Sequence, residues 1–149
     1  MTDALEILAD QHAHIDGLLA RLRTAESERT QLVGELAEYV SAHLAVEQEL
    51  FYPRMTAALS AAIHDELLSE HREIKRVLAN LLWLDADDTR FSATLETLAT
   101  LLGGHIAWQD GELFESIAEG VPADVLAELG AVVTTGFESM YCTDLAQAA

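Results

Sequence analysis

Apolar residues recur at helical spacing over four long stretches of this chain, and only two prolines interrupt them. That pattern constrains the fold more than any other feature, because each residue advances a helix by about 100°. Period-2 alternation and β-branched clusters are scarce, while Ala, Leu and Glu dominate, so the sequence predicts helices and no strands. The first helix spans about Asp3 to Glu26, with Thr2 or Asp3 as N-cap. The second spans Thr30 to Leu59, kinked or broken at Pro53. The third spans Ala61 to Leu84, and the acidic turn Asp85-Ala86-Asp87-Asp88 ends it and caps the next. The fourth spans Thr89 to Ala118, and Gly120 and Pro122 mark a stop and a restart. A shorter helix over Ala123 to Met140 and a frayed tail complete the expectation. Long helices joined by short loops predict an all-α, up-down-up-down four-helix bundle with a short additional C-terminal helix, one domain over residues 1–149.

Phase on these helices separates inward polar residues from solvated ones. Leu5, Leu8, Ile15, Leu19 and Leu22 form one stripe; His12 falls inside it, and His14 on the opposite face. Leu32, Leu36, Tyr39, Val46 and Leu50 form the second, with His43 at its centre and Glu47 one turn later. Glu35, Glu38 and Glu49 point away. Ile63, Leu67, Leu68, Ile74, Leu78 and Leu82 form the third around His71. His64 shares that face two turns earlier, and Lys75 follows one turn later as an ion-pair partner for Glu47 or a side chain that reaches water. Phe91, Leu95, Leu98, Leu101 and Leu102 align with His105, after which the phase slips. One extra residue between His105 and Asp110, a π-bulge, returns Leu113, Phe114 and Ile117 to the stripe and brings Asp110 within about 40° of His105. Without it, Gln109 points inward instead. Gly103-Gly104 also weakens regular helix here.

A single inward histidine is ordinarily a hydrogen-bonded core residue, and a single inward glutamate ordinarily an ion-pair partner. The conjunction is different. Four successive helices each carry one His at mid-stripe, and two add a carboxylate about one turn on. An ionised carboxylate facing a core is costly unless paired or metal-bound. Imidazole and carboxylate at this density suit a transition metal inside a bundle. The formal charge of −18 makes nucleic acid and anionic membrane surfaces poor partners, and no apolar run approaches a membrane span. The single Cys142 and an N-terminus without a basic and apolar leader fit a cytoplasmic protein.

The strings around these residues resemble the hemerythrin-like (HHE cation-binding) family: Asp10-Gln11-His12-Ala13-His14-Ile15, His43 to Glu47 continuing through Phe51-Tyr52-Pro53, Glu70-His71, and His105 to Asp110 followed by Phe114. The family motif is H–HxxxE–H–HxxxE, with HxxxxD last in its oxygen carriers. The resemblance implies a non-haem centre of two iron ions sharing an oxygen bridge (Fe–O–Fe), with manganese or zinc as alternatives. Carried over, His12 and His43 hold one iron, His71 and His105 the other, and Glu47 and Asp110 bridge them. Two departures bear on function. The carriers place a second His on helix 3, where this chain has Leu67 and Lys75 at that spacing. Gln109 stands where many relatives have an acid, which leaves Asp110 as the bridge on helix 4. The missing histidine implies open positions on both irons, hence binding or turnover of dioxygen, hydrogen peroxide or nitric oxide, including peroxide decomposition, rather than reversible oxygen carriage. Tyr39, one turn before His43, is a candidate to fill a vacancy as phenolate. Iron sensing or storage without turnover is the competing expectation. The sequence is silent on oligomeric state.

Overall fold

The computed structural model describes residues 2–148, with side chains through residue 141, so Cys142 and the last residues' side chains lie outside the described set. All regular structure among the described residues is helical. Helix α1 (Ala4–Thr24) starts at a capping box: Asp3 accepts from the Glu6 amide, and the Glu6 side chain accepts from the Asp3 amide. Helix α2 (Arg29–Val46) runs into a π-helical turn, Glu47–Phe51, and a 3-10 turn, Tyr52–Arg54, that contains Pro53. It therefore ends before the expected Leu59. Helix α3 (Ala61–Trp83) is capped by Ser60, whose hydroxyl accepts from the Ile63 amide at 3.2 Å. Helix α4 (Phe91–Trp108) continues through a second π turn, Gln109–Leu113, into α5 (Phe114–Gly120). The expected cap from the acidic turn is partial: Asp88 accepts from the Arg90 amide, and no side chain caps α4 itself. Gly103 and Gly104 sit within regular α4 on its exposed side.

Helix α6 (Ala123–Ala148) is not the short element expected; at 26 residues it is the longest. No proline follows Pro122 to stop it, and it packs along both α1 and α2. Gly130 permits that approach, because a Cβ there would lie 2.6 Å from the Thr2 carbonyl oxygen. Helix α3 packs on α4 and α2, and α4 also on α1.

Two apolar clusters make up the core. One gathers Ile15, Leu22, Leu36, Val40, Ile74, Leu81, Phe91 and Leu102 with their neighbours. The other gathers Leu8, Val46, Phe51, Tyr52, Leu67, Leu113, Phe114, Ile117 and Leu129. On α1 and α3 the second cluster ends before His12 and His71 and the first begins after them; on α2 and α4 the order reverses, the first cluster running up to Leu44 and Ile106 beside His43 and His105 and the second following from Val46 and Leu113. The four histidines thus occupy one level, between two hydrophobic plugs that exclude water. The π turns explain how Phe51, Tyr52, Leu113 and Phe114 reach the lower plug after the ligand-bearing turns above. On α3 the expected stripe breaks at its end: Leu81 is buried, whereas Leu82 is 50% and Trp83 89% exposed.

Candidate metal centre

His12, His43, Glu47, His71 and His105 meet in the interior, each at most 1% exposed. Ring centroids of His12 and His43 are 4.9 Å apart, and those of His71 and His105 5.3 Å. Glu47 is their common centre. Its Oε1 contacts His43 Nε2 and lies 3.1 Å from His105 Nε2 and 3.9 Å from His12 Nε2. Its Oε2 accepts from the Tyr52 hydroxyl and, at 2.5 Å, from the Gln109 amide, with His71 Nε2 at 3.7 Å. Tyr52 and Gln109 also touch each other, and the Tyr52 oxygen lies 3.2 Å from His71 Nε2.

The rings are held from behind. Nδ1–H of His43 donates to Gln11 Oε1 at 2.7 Å, that of His105 to Glu70 at 2.5 Å, and that of His12 to Asp110 at 2.8 Å. Gln11 precedes His12, and Glu70 precedes His71. The residue before one inward histidine therefore clasps the histidine of the neighbouring helix. A proton fixed on Nδ1 turns the Nε2 lone pair inward, the arrangement typical of metal-ligating histidines. The His12 and His43 Nε2 atoms, His71 Nδ1 and Gln109 Oε1 are buried without a hydrogen bond. One donor atom each from His12, His43, Glu47 and His105 lie within 4.8 Å of one another, so these residues could hold a metal ion. The unbonded Nε2 atoms of His12 and His43 beside the Glu47 carboxylate fit a cation, and the donor set of imidazole and carboxylate fits a transition metal.

Electrostatics agree. Burial alone would raise the Glu47 carboxyl, but His43 and His105 hold it well below the usual carboxylate range. Burial keeps His43 below its ordinary value despite Glu47. His105 faces two carboxylates, and Glu47 and Glu70 outweigh burial to push it up to about 10. Burial, then the charge of Glu47, push the Tyr52 hydroxyl well above its ordinary value, so it donates to Glu47.

Three expectations need correction. Asp110 does not turn inward: its carboxylate is 39% exposed and acts on His12 from outside, while Gln109 is fully buried against Glu47. The extra residue exists, but it is taken up in the π turn Gln109–Leu113 and not between His105 and Gln109, so the Gln109 amide still bonds to the His105 carbonyl. Tyr39 does not reach the cluster. It packs on His14, Phe137 and Tyr141, and burial, with Tyr141 and Asp10, pushes its hydroxyl up to about 12. The tyrosine at the centre is Tyr52. The π turn Glu47–Phe51 adds the residue that sets Tyr52 beneath Glu47, which a regular helical phase does not reveal. Lys75 is exposed and pairs with nothing in the cluster. Gln11 and Glu70 carried no sequence signal beyond their place before a histidine.

A family model described as Hemerythrin HHE cation binding domain matches residues 3–117. A crystal structure of a hemerythrin HHE cation binding domain-containing protein from Mycobacterium kansasii superposes with a TM-score of 0.89 at 24% identity, covering 99% of this chain and 92% of that one, which shows a shared fold. A curated protein named DNA nickase, from Nostoc sp., is 21% identical over 121 residues, 80% of this chain and 34% of that protein. The chain thus spans about a third of the length of that relative.

Proposed function

Since the chain belongs to the hemerythrin HHE cation-binding family across residues 3–117, we propose that it is a non-haem di-iron protein that binds or turns over peroxide, dioxygen or nitric oxide. The carrying observation is the inward convergence of imidazole Nε2 atoms on Glu47 while Gln11, Glu70 and Asp110 hold the Nδ1 protons outside. Glu47 divides the donors. Oε1 serves the side of His12, His43 and His105, and Oε2 the side of His71, Tyr52 and Gln109. That division supports two cation positions with Glu47 between them. The resemblance pairs His105 with His71, whereas His105 Nε2 sits on the Oε1 side. In this proposal the helices α1 to α4 form an up-down-up-down bundle to which α6 is added.

Bound iron would supply redox chemistry toward a small ligand. The chain's own contribution is to orient and exclude. The apolar plugs above and below keep bulk water from the donors. Glu47 would offset the charge of a bound cation, and the Tyr52 hydroxyl and the Gln109 amide hold its Oε2 in place. With Gln109 where a second acid is expected, the Tyr52 hydroxyl, held protonated, is the further hydrogen-bond donor beside Glu47. Iron is the cation favoured by the family reading, with manganese or zinc as alternatives. A net charge of −18 argues against DNA as a substrate of this chain. The cytoplasm is the proposed compartment, on the single cysteine.

The test is metal analysis of aerobically purified protein, together with its near-ultraviolet ferric absorption. About two irons per chain, lost in His43→Ala, is the expected result. A well-folded protein with iron near zero after reconstitution refutes the centre. Oxygen evolution on mixing with hydrogen peroxide distinguishes turnover from sensing or storage, in which iron loads without it.

A further inference from the structure

A cavity of about 460 Å³ is lined by Tyr52, Pro53, Thr56, Leu59, Ala61 and His64, with no residue of the histidine cluster among them. That is the size of an ordinary small-molecule site. Pro53, Thr56 and Ala61 are exposed, so it opens to solvent, while Tyr52 and Leu59 are buried and close its inner end. The lining has a distinct chemistry. The chain carries 26 acidic residues, yet none lines this cavity, and neither does a basic one. An anion would meet the field of the whole molecule with no local cation, and a cation would find no counter-charge. The walls are the Tyr52 ring, the Pro53 ring and aliphatic carbon. The polar groups are the Thr56 hydroxyl and the half-buried His64 imidazole. Among the described residues the His64 side chain makes only a ring contact, edge-on to Tyr52 with centroids 6.1 Å apart and planes at 88°. Its ring nitrogens are therefore available for a ligand.

We propose that this cavity binds a small neutral aromatic alcohol, with its ring against Tyr52 and its hydroxyl on His64. A planar apolar body suits the aromatic and proline walls. One hydroxyl satisfies the one imidazole at the mouth. The site needs no metal, so it stands or falls separately from the di-iron reading.

The experiment titrates metal-free protein with 4-methylphenol and, in parallel, toluene, following backbone amides of residues 52–64 by NMR. Saturable shifts confined to this segment are expected, with toluene about fivefold weaker because it lacks the hydroxyl. Thr56→Trp and Ala61→Trp, both at exposed positions, should fill the cavity and abolish binding while circular dichroism is unchanged. His64→Phe should keep the wall and erase the preference for 4-methylphenol over toluene. Absence of saturable binding overturns the proposal. So does undiminished binding in both tryptophan variants, or a preference for the alcohol that survives His64→Phe.

Discussion

Replacing Gln109 by Glu probes the interior charge balance, because its effect should reverse sign with metal. The Gln109 amide nitrogen lies 2.5 Å from Glu47 Oε2, and both residues are fully buried. In the metal-free chain Gln109→Glu removes a donor and sets a second carboxylate against Glu47. Two charges at that separation repel by about 7 kcal/mol at an effective dielectric of ~20. Uptake of a proton relieves this, and holding a carboxyl protonated at pH 7 costs about 4 kcal/mol relative to its ordinary ionised state. The metal-free melting temperature should therefore fall by about 10 °C at pH 7 for a chain of this size. Near pH 5 the same proton costs only about 1 kcal/mol, and most of the loss should disappear. With iron bound, the added carboxylate faces cations instead. Affinity should rise at least about tenfold, as expected for one more anionic donor. The assay is thermal unfolding of chelator-treated and iron-loaded protein, wild type and Gln109→Glu, at both pH values. A metal-free melt unchanged at pH 7 would show that residue 109 does not face Glu47. A loss of the same size in the iron-loaded protein would show that no cation sits beside it.

Further outcomes follow from the same geometry. Glu70→Ala frees His105 Nδ1, and Asp110→Ala frees His12 Nδ1; each should weaken iron binding about 10- to 100-fold in competition titrations, without unfolding the chain. The metal-free chain should be most stable near pH 6.5. His105 is raised from 6.5 to about 10, so its stabilisation is complete below 6.5 and lost as pH rises toward 10. His43 is lowered, so stability is lost as pH falls below 6.5, and Glu47 adds a further loss below its ordinary 4.5. Denaturant midpoints across this range check the maximum, and the alkaline fall should flatten once iron occupies His105. Gly130→Ala should destabilise by about 1–3 kcal/mol, because its Cβ would strike the Thr2 carbonyl and the start of α1 cannot yield as a flexible side chain would; urea unfolding measures it.

The sequence by itself determined which faces of the first four helices are buried and that His12, His43, Glu47, His71 and His105 share an interior. Helical phase is a local property, and 100° per residue carries through unbroken segments such as α1 and the body of α3. It also revealed that an extra residue lies near the end of α4, since Leu113, Phe114 and Ile117 reach the core only if the phase is reset. Where the reset falls was not local information. A π turn is stable wherever the packing around it is better than that of the regular helix, and the lower apolar plug decides this jointly for Phe51, Tyr52, Leu113 and Phe114. Tertiary packing therefore chose Gln109 over Asp110 and Tyr52 over Tyr39, and let α6 run to Ala148 along α1 and α2. It also set Gln11 and Glu70 behind histidines of neighbouring helices. Those pairs are separated by 32 and 35 residues, and a contact across helices has no period to read in one chain.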